Sequence, residues 1–470
     1  MKRFSLLIII LSLFWVVPDD PVYAQVTVEC TVQGDFVVSG CFGGRDCIPA
    51  LTNPKLVTPE EANYLRDDNL VLGVYRNGVS RAYPQPILWW HEIVNDTLGG
   101  EMFTISLCPL TGTGLLFDAT LNGEEHTFGV SGLLYNNNLI MYDRQNRSSL
   151  IPQMCYLGRT RDGDNLPLNG DKLTLLPIIE TTWGAWKKLH PNTLVLSDDT
   201  GYQREYARYP YGDYRVNNNF LLFPLTKTDD RLEQKDMVFG LNLNNINRAY
   251  PFEAMGNRAV LNDDVGGTKV LVLFVKSAKL AVGYYRNYNG QNLTFELDGV
   301  TSAGFIRIKD RETNTFWNIL GEAISGPLAE QGAKLEQIPA YNAMWFAWGA
   351  FWDAPEIADI DAIVTAVEDN VTEPSLPTAI ALHQNFPNPF NPSTTIAYDL
   401  SESRNVTITI YDVLGRQVRS LLKNARQSAG QKTVTWNGQN DAGEVVVSGV
   451  YVYRIQAGDF SESRKMIMLK

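Results

Sequence analysis

The sequence predicts a mainly β protein with a few short helices, built from two tandem related β-rich halves and a C-terminal antiparallel β-sandwich. Short apolar or alternating runs are separated by turn residues along most of the chain. Several short motifs recur at a fixed distance, which indicates an internal duplication. Aromatic residues are frequent, with 10 Trp, 21 Tyr and 20 Phe among 470 residues. A chain of this length suits two or three domains.

The N-terminal residues 1–24 have the features of a secretory signal peptide. A positively charged start and an apolar run precede a small-residue cleavage pattern that ends at Ala24. The apolar run has about a dozen residues, fewer than the ~20 that span a bilayer. We therefore expect an exported protein with no transmembrane segment in the mature chain. The formal net charge of −12 argues against nucleic acid as a partner.

Export changes how the cysteines are interpreted, because an oxidising compartment favours disulfides. The five cysteines are Cys30, Cys41, Cys47, Cys108 and Cys155. Three of them lie in residues 25–69, which we expect to form a disulfide-prone N-terminal arm. An odd count leaves one thiol unpaired. We predict that Cys108 is this free thiol and that the other four form bridges, whose pairing stays open.

The duplication is visible as pairs of motifs at an offset of 167 residues. The pairs are RAYP at 81–84 and 248–251, VNDTLGG at 94–100 with LNDDVGG at 261–267, and, after a five-residue slip, WGAW at 183–186 with WFAW at 345–348. These matches predict a first β-rich repeat at 70–200 and a second, diverged repeat at 201–357. We expect the two repeats to pack as a pseudo-two-fold pair.

Local signals predict the elements of the first repeat. Asn77-Gly78 joins two short strands within residues 70–84, because this dipeptide tolerates the positive φ angles of a tight hairpin. Residues 84–94 read as a short helix that opens with proline. Residues 181–190 read as an amphipathic helix capped by threonine. The runs between these helices have strand lengths, which suggests a small curled sheet or barrel.

The composition changes at Ala358. Residues 358–383 contain five acidic residues, no basic ones and two prolines, which is typical of an extended acidic linker. Residues 384–470 carry 10 Lys or Arg against 7 Asp or Glu, opposite in sign to the rest of the chain. Their alternating runs predict a small antiparallel β-sandwich.

This last segment resembles the C-terminal sorting domain of the type IX secretion system, which has an immunoglobulin-like fold akin to the flagellar hook-capping protein. The matching motifs are QNFPNPFNPSTTI at 384–396, ITIYDVLGRQV, WNG at 436–438, GVYVYRIQAG and the basic RKMIMLK end. The resemblance implies that residues 384–470 engage the type IX secretion machinery. It also implies transit through the periplasm and a secreted or outer-membrane surface location.

Residues 45–357 resemble the bacterial domain-of-unknown-function family numbered 3179. The matching motifs include CIPALTNPK at 47–55, LWWHEIVNDTLGG at 88–100, LCPLTGTGLLFD at 107–118 and FGVSGLL at 128–134. The second repeat follows the same family through RAYP, LNDDVGG and WFAWGAFW. The family brings no established activity, so function has to be argued from the residues.

The duplication provides an internal comparison, because residues present in both halves are those that the fold requires. Four residues whose side chains can act in catalysis or bind a metal occur only in the first half: His91, Cys108, His126 and Met141. At the 167-residue offset they correspond to Arg258, Val275, Leu293 and Ile308. Cys108 ends a predicted strand before the turn CPLTGTG, and His91 ends the preceding helix. The fold can therefore bring the thiol and the imidazole together.

Three roles are open for this group. Cys108 and His91 are candidate catalytic residues, since an imidazole can lower a thiol pKa and make a nucleophile available. Together with His126 and Met141 they are also candidate ligands for copper or zinc. In the third interpretation they are ordinary packing residues.

The leading hypothesis is a surface-delivered protein with a metal- or thiol-dependent site in the first repeat, and whether it is an enzyme stays open. The alternative is a non-catalytic surface module that binds glycan, peptide or another surface protein. Tryptophans such as Trp89-Trp90 are candidates for the floor of a sugar-binding cleft.

Overall fold

The computed structural model describes residues 32–155, 172–367, 380–385, 387–427 and 430–469. The predicted signal peptide and Cys30 lie outside these residues. No helix within them is both long enough and apolar enough to cross a membrane.

The described residues of the arm and the first half contain sixteen strands and two α-helices, preceded by the 3₁₀ turn Gly34–Phe36. They are β1 (Val37–Ser39), β2 (Leu51–Thr52), β3 (Leu56–Val57), β4 (Leu70–Arg76), β5 (Val79–Pro84), α1 (Gln85–His91), β6 (Ile93–Leu98), β7 (Glu101–Cys108), β8 (Thr113–Asp118), β9 (Thr120–Leu121), β10 (Glu124–Glu125), β11 (Phe128–Tyr135), β12 (Asn138–Asp143), β13 (Leu150–Pro152), β14 (Leu175–Leu176), β15 (Ile179–Thr182), α2 (Trp183–Leu189) and β16 (Leu194–Leu196).

The second half begins after a long connecting segment, residues 197–236, in which the structure has neither helix nor strand. Its elements are β17 (Met237–Leu243), β18 (Ile246–Pro251), β19 (Arg258–Val265), β20 (Thr268–Val275), β21 (Leu280–Tyr285), β22 (Asn287–Tyr288), β23 (Gln291–Asn292), β24 (Phe295–Val300), β25 (Ile306–Asp310), β26 (Phe316–Trp317), β27 (Ala323–Ser325), β28 (Ala340–Met344), α3 (Trp345–Phe351), β29 (Glu356–Ile357), α4 (Ile360–Ile363) and β30 (Val364–Val367).

The two halves have the same strand order, which confirms the two tandem related β-rich halves. The sheet β15-β4-β5-β16-β3 in the first half corresponds to β28-β17-β18-β29 in the second. Likewise β8-β7-β6 corresponds to β21-β20-β19, and β11-β12-β13 to β24-β25-β26. The strands form several small sheets in each half, where the sequence suggested one curled sheet or barrel.

Local signals place most elements of the first half correctly. Asn77 and Gly78 have φ angles of 50° and 78° at the β4–β5 turn, as a tight hairpin requires. Thr182 caps α2, because its side chain accepts a hydrogen bond from the Ala185 backbone nitrogen at 3.3 Å. Helix α1 is shorter than predicted. It ends at His91, because the apolar residues that follow join strand β6.

The halves share their apolar cores in a reciprocal way. Trp183 and Trp186 of α2 lie in one cluster with Leu271 and Trp317 of the second half. In return, α3 of the second half packs in a cluster with first-half residues such as Leu115 and Tyr142. Because each closing helix buries apolar surface against the opposite half, the two halves form one folding unit.

The predicted acidic linker starts as ordered structure. Strand β30 pairs with β19 of the second half, and residues 368–379 lie outside the described residues. The C-terminal region contains β31 (Ala381–Leu382), β32 (Thr394–Leu400), β33 (Arg404–Asp412), β34 (Gln417–Gln427), β35 (Gly430–Trp436), β36 (Gly449–Ala457) and β37 (Phe460–Met468). A three-stranded and a four-stranded sheet enclose a core that includes Trp436 and Tyr453, as expected for an immunoglobulin-like sandwich.

The cysteines follow the prediction where the structure describes them. Cys41 and Cys47 form a disulfide in the N-terminal arm, and Cys155 is also disulfide-bonded. Cys108 is free and buried.

Candidate functional site

Cys108 lies at the end of strand β7, where the turn CPLTGTG begins. Its side chain is 1% exposed, and its Sγ donates to the backbone oxygen of Asn137 at 3.4 Å. Burial, and then the nearby Glu92 carboxylate, raise the pKa of the thiol to about 11. Hydrogen bonds from Thr111 and Leu110 act in the opposite direction. Cys108 is therefore a protonated thiol at neutral pH.

His91 ends helix α1, and both of its ring nitrogens have partners. Nδ1 lies 2.8 Å from the Pro49 oxygen, and Nε2 lies 2.6 Å from the Tyr206 hydroxyl. Burial lowers the pKa of the imidazole. No hydrogen bond joins His91 to Cys108 in the described part of the chain, so the structure gives each side chain separate partners.

The other two candidate ligands lie in the strands that follow. His126 Nδ1 is 2.8 Å from the Asp143 carboxylate, and Met141 is completely buried in β12. In the second half the equivalent carboxylate, Asp310, accepts a 2.8 Å hydrogen bond from Trp317 Nε1. Trp317 therefore makes the contact in the second half that His126 makes in the first, although the two residues are not at equivalent sequence positions.

Across the described ranges, no group of three or more His, Cys, Asp or Glu side chains could hold a metal ion. The catalytic and metal-binding roles of the four residues remain predictions.

Sequence reasoning missed the tyrosine segment, residues 202–214 of the connecting segment. It reads YQREYARYPYGDY and lies over the region that contains His91 and Cys108. In addition to the Tyr206 contact with His91, the Tyr209 hydroxyl donates to the Pro109 oxygen at 2.8 Å. Five tyrosines within thirteen residues were a signal that could have drawn attention to this segment.

An open surface cleft lies between the N-terminal arm, helix α1 and the tyrosine segment. It has a volume of about 650 Å³. Its lining residues are Cys47, Ile48, Pro49, Trp89, Trp90, Gln203, Arg204, Glu205, Pro210 and Tyr211. Trp89 and Trp90 are half-buried, so their rings combine a fixed position with accessible surface. We call this the tryptophan cleft.

The tryptophan cleft has no equivalent in the second half. At the 167-residue offset, Trp89 and Trp90 correspond to Gly256 and Asn257. Helix α1 is replaced there by a single 3₁₀ turn, Glu253–Met255. The aromatic surface is therefore a property of the first half alone.

A second, deeper pocket of about 550 Å³ lies where the two halves meet. Equivalent positions of both halves line it: Leu70 with Met237, Gln85 with Phe252, Leu107 with Phe274, Pro109 with Lys276, and Gly112 with Lys279. This junction pocket is therefore lined by equivalent positions of the two halves. Its buried charged residues include Glu180 and Lys235.

The sequence matches the family model "Protein of unknown function (DUF3179)" over residues 45–355. The chain belongs to the DUF3179 family. Both halves, the tryptophan cleft and the junction pocket fall within this DUF3179 region. Residues 391–459 match the FlgD Ig-like domain, in agreement with the C-terminal sandwich.

No curated protein matches the sequence. Several solved structures are similar to parts of it. FlgD from P. aeruginosa is 19% identical, with 20% of this chain and 66% of that chain covered and a TM-score of 0.14. Dimeric latent PorU from Porphyromonas gingivalis is 13% identical, with 94% and 34% covered and a TM-score of 0.18.

The third structure is PorZ from Porphyromonas gingivalis, described as a surface component of the type IX secretion system. It is 11% identical, with 80% of this chain and 59% of that chain covered and a TM-score of 0.15. The chain thus spans less than two thirds of each of these three proteins.

Proposed function

We propose that this protein is an exported, surface-delivered module that binds carbohydrate in the tryptophan cleft. The observation that carries the proposal is the pair of adjacent, half-buried rings of Trp89 and Trp90 in an open cleft of about 650 Å³. Sugar rings stack on such aromatic faces, and the polar side chains of residues 203–205 can bond their hydroxyl groups.

The aromatic floor is held in place by its neighbours. Trp89 meets Tyr209 edge-on with ring centroids 5.3 Å apart, and the Arg215 guanidinium lies 5.4 Å from the Trp89 ring centroid. Trp90 Nε1 donates to the Arg208 oxygen at 3.3 Å. A preformed surface loses little side-chain entropy when a ligand binds, which favours recognition of weakly binding sugars.

Affinity electrophoresis of the purified mature chain against soluble bacterial and plant polysaccharides tests the proposal. Retardation by at least one polysaccharide is expected, and Trp90→Ala should abolish it. Phe42→Ala is the control, because Phe42 is a fully exposed aromatic residue outside the cleft. Equal retardation of both variants, or none for the unaltered protein, contradicts carbohydrate binding at this cleft.

We also propose that residues 384–470 deliver the protein through the type IX secretion machinery. The sorting motifs and the positive charge of this segment support the proposal. A chain without residues 384–470 should accumulate in the periplasm with its DUF3179 region folded, as cell fractionation and protease resistance would show. Equal surface amounts of the truncated and full-length chains would count against delivery by this domain.

A metal- or thiol-dependent site around Cys108 is the second candidate function. The free thiol and the hydrogen bonds from Thr111 and Leu110 favour it. Burial and the Glu92 carboxylate oppose it, since both raise the thiol pKa. The reactivity of Cys108 separates these possibilities.

A further inference from the structure

The junction pocket has apolar wall residues alongside charged residues of both signs, which include Asp213, Arg215, Asp236 and Lys276. Leu107 and Phe274 are buried, equivalent residues at the ends of β7 and β20, and Met237 and Met344 also line the pocket. Methionine side chains adapt their shape to a ligand. A volume of about 550 Å³ is within the usual range for a small-molecule site. The pocket therefore suits a compact ligand with an apolar body.

Glu180 places a buried carboxylate in this pocket. The residue is 9% exposed, and its Oε2 atom has no hydrogen-bond partner in the described structure. Burial raises the pKa of the carboxyl group to about 7, while hydrogen bonds from Asn342 and Gln85 and the charge of Arg215 partly oppose that rise. An unpartnered buried oxygen is costly, so a ligand that donates to it gains affinity.

Lys235 is a buried basic residue that lines the same pocket. It is 8% exposed, and its Nζ likewise has no hydrogen-bond partner among the described residues. The ammonium instead lies over aromatic rings, 3.3 Å from the Tyr214 centroid and 4.8 Å from the Phe346 centroid. Burial lowers its pKa to about 8. An acceptor from a ligand would complete its coordination.

The acid and the base do not neutralise each other. Within the part of the chain that the structure describes, Glu180 and Lys235 form no ion pair, although both line one pocket. A single buried carboxylate would fit a cation, and a single buried ammonium would fit an anion. The charges of Arg215 and Lys279 act on Glu180, but its Oε2 atom and the Lys235 Nζ atom have no hydrogen-bond partner among the described residues. Two such groups of opposite charge are complementary to a molecule that carries both charges.

We infer that the junction pocket binds a small zwitterion with an apolar body, of the amino-acid or dipeptide class, with its ammonium at Glu180 and its carboxylate at Lys235. The junction pocket shares Trp89 with the tryptophan cleft, but Glu180 and Lys235 line only the junction pocket. The inference therefore does not depend on carbohydrate binding. Glu180 belongs to strand β15 of the first half, and Lys235 lies in the connecting segment two residues before β17.

Isothermal titration calorimetry of the unaltered mature chain with L-leucyl-L-phenylalanine tests the inference. The N-acetylated and the C-amidated dipeptides remove one charge each while leaving the apolar body intact. We expect the zwitterion to bind at least about tenfold more tightly than either derivative, because each lost charged hydrogen bond weakens binding by that factor or more. No binding of the zwitterion, or equal binding of all three, overturns the inference.

Two variants assign the ends of the ligand. Glu180→Gln should weaken binding of the zwitterion and remove its advantage over the N-acetylated dipeptide. The advantage over the C-amidated dipeptide should remain. Lys235→Met should also weaken binding, but it should remove the advantage over the C-amidated dipeptide and keep the advantage over the N-acetylated one. Glu60→Gln and Lys188→Met are matched controls, since both residues are exposed and outside the pocket. If both pocket variants keep both preferences, the dipeptide binds elsewhere and the assignment is wrong.

Discussion

In both halves of the DUF3179 region a tryptophan from the closing helix covers a glycine of the first strand. Trp186 lies over Gly73 in the first half, and Trp348 lies over Gly240 in the second. A Cβ atom added to either glycine would come within 2.2 Å of the indole ring. The same close contact at equivalent positions shows what the fold requires: a flat ring on a strand with no side chain.

A second shared feature joins neighbouring sheets. Asn95 donates through Nδ2 to the Phe128 oxygen at 2.9 Å and accepts from the Phe128 nitrogen at 2.8 Å. Asn262 makes the same two bonds with Phe295, at 2.8 and 2.9 Å. This asparagine therefore ties one strand to the backbone of another in each half.

The halves differ in the polar groups that they bury. The first-half residues Glu92, Cys108 and Glu180 correspond to Ala259, Val275 and Asn342 in the second half. Burial raises the pKa of Glu92 to about 8, and its φ of 57° is unusual for a residue other than glycine. Buried acids and strained backbone lower stability. The two glutamates therefore distinguish the first half, since both are replaced by uncharged residues in the second.

Truncating the shared tryptophans should have the largest effect. Trp186→Ala and Trp348→Ala should each lower the free energy of unfolding by ~3–5 kcal/mol, because each leaves a large cavity in a core shared by both halves. Urea unfolding followed by circular dichroism measures the loss. Trp90→Ala, at a half-buried ring, is the control with a smaller expected loss. A loss below ~1 kcal/mol at either core position would show that the shared contact is dispensable.

The scaffold was predictable from sequence where the signals were local or repeated. The RAYP repeats gave the duplication, Asn77-Gly78 gave a hairpin, and Thr182 gave a helix cap. These signals depend on residues close together in the chain or on self-comparison, so no tertiary information is needed.

The functional features were harder to predict, because they depend on contacts between distant segments. Glu180 stands in the four-residue strand β15, directly before the predicted helix. It becomes a pocket residue only because β15 meets β28, where Asn342 occupies the equivalent position. The tyrosine segment similarly lines the tryptophan cleft and contacts His91 only because it folds over α1. Cys108 and His91 were correctly recognised as specific to the first half, but their partners come from segments that the sequence did not link to them.

The buried carboxyl group of Glu180 should make the free energy of unfolding depend on pH. Burial raises the folded-state pKa of Glu180 to about 7, above the ordinary value of 4.5 for a glutamate. Between these values the folded chain holds a proton that the unfolded chain has released, so stability falls as pH rises through this window. Across this window the free energy of unfolding should fall by ~3 kcal/mol as the carboxyl group ionises.

Urea unfolding of the unaltered chain and of Glu180→Gln at pH 5 and pH 8 tests this contribution. The variant removes the titrating group, so its free energy of unfolding should depend less on pH. The substitution introduces an amide, as Asn342 does at the equivalent position of the second half. Glu60→Gln, at an exposed position, should keep the full pH dependence. Identical pH profiles for all three proteins would mean that Glu180 titrates normally in the folded state.

The smallest effect is expected for Cys108→Val, which introduces the residue that the second half has at this position. Because the change nearly conserves volume in a buried site, it should alter the free energy of unfolding by less than ~1.5 kcal/mol. A larger loss would mean that the hydrogen bond from Sγ to the Asn137 oxygen stabilises the fold more than its length of 3.4 Å suggests.

The reactivity of the same thiol decides between the packing role and the chemical roles. With a pKa of about 11 and 1% exposure, Cys108 should react with iodoacetamide at neutral pH roughly a hundredfold more slowly than an ordinary exposed thiol, since the thiolate is the reacting species. In urea the rate should rise to the ordinary value, because unfolding exposes the thiol and returns its pKa to normal. Zinc, copper or the His91→Ala substitution should leave the slow rate in the folded chain unchanged if Cys108 is a packing residue. Fast alkylation that slows with copper or zinc would instead establish a metal site, and fast alkylation that slows in His91→Ala would establish an imidazole-activated thiol.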